Sequence, residues 1–297
     1  MIIDKTFEGL VNVKYEYRIE DSVEEYGPIH IKLSKPLYVD GNLISDGDII
    51  SNQGIKANGT IKSDGDIDVD GSIEASEDIV ALCDIDTSGS IKAGGNIKAR
   101  GSIAIGGSIE AVISIKSGGS IKSGWAIKTG KDIKAGGDVE TDESIKSGGS
   151  IKSGWAIQSG ESIKAGGDIE AAACIKSGEN IESSGNVEAD NIIESNGNIT
   201  IGGSLTGALI KSGGYIKAGG SIESGRIIKA DRSIVCGSQI ICKSTLDVGL
   251  RIFAGICDWR DISDEDEKII CSRLINGNVA CGHLIETDKN LSKESKT

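Results

Sequence analysis

Every sixth residue from Leu37 to Leu205 is Ile, Leu or Val. The phase slips by one residue in LTGAL, 205–209, and then holds from Ile210 to Ile252. A short fixed period over so long a span indicates one small structural unit stacked on copies of itself. A longer echo lies on top of it. The phrase IKSGGSIKSGWAIKTGKDIKAGGDVE (115–140) returns as IKSGGSIKSGWAIQSGESIKAGGDIE (145–170), a shift of whole hexads.

Take the aliphatic residue as position 0. Position 1 is mostly charged, as in Lys56, Lys62, Asp68 and Glu74. Position 2 is small or aliphatic, as in Ala57, Ser63, Val69 and Ala75. Glycine is the commonest residue at position 3, and Ser, Asp or Asn is common at position 5. Apolar–charged–small is the period-2 alternation of a very short strand, with positions 0 and 2 inward and position 1 outward. Positions 3 to 5 carry corner chemistry, because Gly accepts positive φ and short polar side chains cap turns. A strand and a corner repeated without insertion wind into a parallel coil.

The expectation is an all-β fold, a single-stranded parallel β-helix of about twelve triangular turns of 18 residues, with small capping elements at both ends. The composition agrees. Aromatics are 3% of the 297 residues and glycines number 42, so isoleucine and valine must supply a narrow core. Residues 37–252 are the solenoid. Residues 1–36, off the hexad rule, are expected to form an N-terminal β cap. Residues 253–297 are expected to form a C-terminal cap: a short helix starting at Ser263, a β-hairpin turning at Asn276–Gly277, and a frayed tail. Caps would block the open strand edges of a solenoid.

No apolar run approaches the roughly 18 residues that span a bilayer. The N-terminal segment has acidic residues where a secretory signal has basic and apolar ones. A net charge of −13 argues against direct nucleic-acid or membrane binding. Seven cysteines without a CxxC pair suit a reducing compartment. The expected location is the cytoplasm.

The search for chemistry yields little. The two histidines, His30 and His283, sit in no cluster of metal-ligand spacing. There is no phosphate-binding GxxxxGK[ST], and GGSIKSG lacks the context of a nucleophile elbow. No enzyme activity, cofactor or metal is expected. The candidate partner-binding residues are on the outside. Trp125 and Trp155 fall at position 4, a corner, and are placed in solvent. Tryptophan is enriched at binding hot spots. With 18-residue turns, Lys98, Lys116, Lys134 and Lys152 form a basic strip, next to a mixed ladder of Lys56, Glu74, Lys92, Glu110 and Lys128. Trp259 and the acidic run Asp264, Glu265, Asp266 and Glu267 belong to the C-terminal cap. That run is the sharpest candidate for meeting a basic surface.

The hexad resembles the coil of hexapeptide acyltransferases and gamma-type carbonic anhydrases in its scaffold alone, since no hexad here carries their histidines. Its GGSIKSG and GGDIEA style, over about Leu37–Ile252, resembles the bactofilin-type polymer-forming cytoskeletal proteins. That resemblance implies a coil polymerising end to end, whereas the two flanking segments read as caps. Two functional expectations follow. The first is a non-catalytic solenoid that binds a macromolecular partner, most naturally a protein. One form of it is an inhibitor, of the kind a phage or mobile element carries, directed at a host nucleic-acid-handling or defence complex. The alternative is a structural protein forming filaments or homo-oligomers.

Overall fold

The computed structural model describes residues 1–257 and 261–288. The chain forms two compact units, Met1–Gly149 and Ser150–Thr297, and both are parallel β-solenoids. Among the described residues, no helix is long and apolar enough to cross a membrane.

In the first unit the hexads become three-residue strands, each paired with the strand eighteen residues on. Ile55–Ala57 pairs with Ile73–Ala75, and that with Ile91–Ala93. Like stacks on like: Ile61, Ile79, Ile97 and Ile115 form one inner column. Positions 0 and 2 are buried and position 1 faces out, as the alternation requires. Each buried isoleucine removes apolar surface worth about 2–3 kcal/mol from water.

The polar residues of the pattern hold coil to coil. At position 5, the side-chain oxygen accepts the backbone N–H eighteen residues on. Asn42 receives Thr60 at 2.8 Å, Asp48 receives Asp66 at 2.9 Å, and Asp66 receives Asp84 at 2.8 Å. At position 2, a buried serine donates to the carbonyl of the preceding coil's corner, as Ser63 does to Gly47 at 2.5 Å and Ser123 to Gly107 at 2.6 Å. Buried hydroxyls in a narrow core are thereby satisfied.

The glycines have a different cause from the one expected. Positive φ occurs at Gly9, Gly71, Gly255, Gly277 and Gly282, and so at none of the described hexad glycines from Gly89 to Gly249. What they provide is close approach. A Cβ on Gly118 would lie 1.9 Å from the Arg100 carbonyl oxygen, and one on Gly101 would lie 2.0 Å from Asp84 Oδ1.

The coil starts earlier than the hexads. Strands β1 (Ile2–Ile3), β2 (Val11–Asn12), β3 (Tyr17–Ile19), β4 (Val23–Glu25) and β5 (Ile29–Ile31) open the chain. β3, β4 and β5 are the three sides of a further coil, in register with Leu37, Leu43 and Ile49. The step here is from Tyr17 to Leu37, longer than eighteen, because eight residues and not six separate Ile29 from Leu37. That broken phase hides the coil in the sequence. β1 is laid parallel on β5 and β2 antiparallel on β3, over two sides of the end. Arg18 joins the first two coils, giving Asp40 two hydrogen bonds of 2.7 and 2.6 Å while lying over the Tyr38 ring.

In the second unit the one-residue slip is absorbed locally. Val187–Ser195 and Leu205–Ser212 run straight through a would-be corner and pair with a bulge between Ala189 and Ile192. Further on, the expected helix and hairpin give way to another coil. Residues 264–267 form tight turns, with Asp266 N–H on Ser263 O at 2.9 Å and Lys268 N–H on Glu265 O at 3.3 Å. The strand Lys268–Cys281 then pairs in parallel with Ile240–Phe253. A hairpin would pair this segment with itself and leave the Ile240 column open. The parallel arrangement buries Ile269 and Cys271 fully over Ile240 and Cys242. Gly277 does take a positive φ of 114°, but at an irregularity of the parallel ladder rather than a hairpin turn.

Candidate functional site

Trp125 in the first unit and Trp155 in the second are 61% and 66% exposed. The backbone beneath each is fixed. Trp125 N–H donates to Gly107 O and to Ser123 Oγ, both at 3.3 Å. Trp155 N–H donates to Ser153 Oγ at 3.1 Å, and its carbonyl accepts Ala173 N–H at 2.8 Å. Each indole therefore stands in solvent on a rigid corner. Trp259 lies outside the described residues.

Within the first unit, Lys98, Lys116 and Lys134 stack as direct register partners. All three are exposed, and none has an ion pair among the described residues. Lys152, in the second unit, is instead held by Glu170, which raises its pKa. The mixed ladder makes the cross-coil pairs Lys56–Glu74 and Lys128–Glu110, both at 3.2 Å. Such exposed pairs contribute little stability.

The third face of the first unit reads Asp68, Asp86, Ala104, Lys122, Glu140 in register. Ala104 leaves a hollow of about 430 Å³ lined by Asp86, Lys122 and Glu140 among others. Lys122 and Glu140 pair at 2.9 Å. Partial burial, then the nearby Asp68 and Asp84, push the Asp86 carboxyl above its ordinary range.

The acidic run does not form a single surface. Asp266 is buried, 7% exposed. Its Oδ1 accepts Ser238 Oγ at 2.7 Å, and its Oδ2 accepts Ser263 N–H at 2.9 Å and Ser263 Oγ at 2.7 Å. Glu265 is paired with Lys268, and Glu267 lies 3.3 Å from His283 Nε2. Asp264 stands exposed. Sequence alone could not see this, because the buried acid looks like its neighbours until Ser238 is known to lie beside it.

Cys236, Cys242 and Cys271 are buried, and burial pushes the Cys236 thiol up to about 12. A thiol held so far from ionisation is inert as a nucleophile. Among the described residues, no His, Cys, Asp and Glu side chains are grouped as a metal site. The sequence reading also passed over Glu20, Asp21 and Glu24, because residues 1–36 lack the hexad phase that marks outward positions. These acids line a cavity of about 500 Å³ with Met1, Phe7, Val11 and Ile19. No family model, curated protein or solved structure matches the chain.

Proposed function

We propose that the chain is a non-catalytic interaction protein whose coils present fixed side chains to a macromolecular partner, most naturally a protein. The observation that carries the reading is the exposure of Trp125 and Trp155 on hydrogen-bonded corners. An exposed indole on a rigid backbone loses little freedom on binding and carries a large apolar area, the profile of a hot spot. Some of the other outward positions carry cross-coil ion pairs, such as Lys56–Glu74 and Lys128–Glu110, that serve solubility.

The inhibitor version, aimed at a nucleic-acid-handling or defence complex, would rest on an acidic surface. The engagement of Glu265, Asp266 and Glu267 within the chain weakens the C-terminal run for that purpose. The bactofilin-like filament reading needs bare coil ends. The cover that β1 and β2 give to two sides of the first coil favours the interaction protein.

The test is capture from lysate with wild-type protein and a Trp125→Ala/Trp155→Ala variant of equal thermal stability. The reading predicts a defined partner that the variant loses. Equal capture by both would remove the tryptophans from the contact. Sedimentation into long polymers at physiological salt would favour the filament.

A further inference from the structure

Two of the three sides of the first coil are covered, and the third is not. On β5, the N–H of His30 donates to Met1 O at 2.9 Å and that of Lys32 to Ile3 O at 2.8 Å, so β1 completes that edge. On β3, β2 pairs through Val11 and Asn12. β4 pairs only with Leu43–Ser45 among the described residues. Val23 N–H donates to Asn42 O at 2.7 Å and Glu25 O accepts Asp46 N–H at 3.0 Å. In a parallel ladder alternate residues turn their amide groups to opposite sides. Residues 23 and 25 face the next coil, so the N–H and C=O of Glu24 face outward, at the position that His30 occupies on β5.

The surroundings of that edge are specific. The cavity of about 500 Å³ opens along it, with Met1, Phe7, Val11, Ile19 and Val23 as its apolar part. Glu8, Glu20, Asp21 and Glu24 line the same cavity and are exposed. The amino group of Met1, a residue that also lines the cavity, is bound to Pro28 O at 2.6 Å and lies 3.9 Å from Glu25.

We propose that β4 is a strand-addition site for a short extended basic peptide segment of a partner protein. The segment would pair with Glu24, set an apolar side chain into the cavity and direct Lys or Arg at the carboxylates. Main-chain pairing supplies affinity and the alternating side chains supply selectivity. The four carboxylates that attract such a segment repel the same edge of a second copy, which is how exposed edges avoid self-pairing. The site is separate from the corner tryptophans, so the Trp125→Ala/Trp155→Ala variant keeps it, and either proposal can fail alone.

The experiment is fluorescence polarisation with a labelled, capped hexapeptide alternating Lys and Val, titrated into the full chain. A peptide alternating Lys and Pro has the same charge but only half the backbone N–H donors, and its prolines hold φ away from the extended strand, so it should bind more weakly. Glu24→Pro deletes the outward N–H while leaving the bonds of residues 23 and 25 in place; Glu24→Ala controls for the lost carboxylate. The expected result is saturable binding of the Lys/Val peptide. Binding should weaken at least tenfold with Glu24→Pro and with Glu20→Lys/Asp21→Lys. It should weaken less with Glu24→Ala and be unchanged with Asp70→Lys. Slowed hydrogen exchange at the Glu24 amide of the wild type on adding peptide supports the same conclusion, and decides it if Glu24→Pro does not fold. No binding, equal binding of the Lys/Pro peptide, unchanged Glu24 exchange, or self-association abolished by Glu24→Pro would each overturn the proposal.

Discussion

Asp78 and Asn96, eighteen residues apart, are joined twice: Asp78 Oδ1 accepts the Asn96 backbone N–H at 2.6 Å and its side-chain amide at 3.1 Å. The bond explains why the sixth place of the hexad favours Asp, Asn and Ser. Removing the acceptor leaves a corner N–H unpaired. Asp78→Ala is expected to cost about 1–2 kcal/mol. Asp68→Ala, at an outward strand position, should stay within about 0.5 kcal/mol. Urea denaturation of the two variants side by side measures the difference.

Glycine matters where coils touch, and unequally. Gly118→Ala would place a methyl 1.9 Å from the Arg100 carbonyl oxygen, whereas the nearest atom at Gly225 is 3.5 Å away. Gly118→Ala should destabilise by about 1–3 kcal/mol, the range for overpacking. Gly225→Ala should be neutral or mildly stabilising, through the unfolded chain. Thermal melting of both variants checks the order.

Asp86 gives a pH signature. Partial burial, with Asp68 and Asp84 adding to it, raises its folded pKa above the unfolded value. The native state therefore binds this proton more tightly. The resulting penalty is present above the folded pKa and is relieved as pH falls through it. Asp86→Asn should be more stable than wild type at pH 7, by no more than about 0.5 kcal/mol for so exposed a group. The advantage should vanish near pH 3, below the ordinary carboxylate range. Paired denaturation curves at the two pH values test the sign.

Asp266 fastens the last coil of the second unit. Asp266→Ala strips the acceptor from both Ser238 and Ser263 and should cost about 1–3 kcal/mol. Amide exchange should quicken along Lys268–Cys281 and stay slow at Ile55–Ala57.

The fold was legible wherever a residue's role repeats. The unbroken aliphatic column and the charged position beside it lead directly to stacked strands, since an eighteen-residue turn puts Ile61 over Ile79 and leaves Lys62 outside. Roles that depend on a single neighbour were not. The coil of Tyr17, Val23 and Ile29 was masked by the two extra residues between Ile31 and Leu37. Asn276–Gly277 carries the same local signal for a ladder irregularity as for a hairpin. The candidate site divides the same way. The exposure of Trp125 and Trp155 follows from their corner position, whereas the burial of Asp266 depends on Ser238, far away in sequence.

The most direct test of the account is calorimetric titration of the captured partner, once purified, against wild type, Trp125→Ala, Trp155→Ala and the double variant. A hot-spot tryptophan contributes about 2 kcal/mol or more on truncation. At least one single variant should therefore weaken binding about thirtyfold, and the double variant no less. A partner that binds all four proteins with the same affinity would contradict the account.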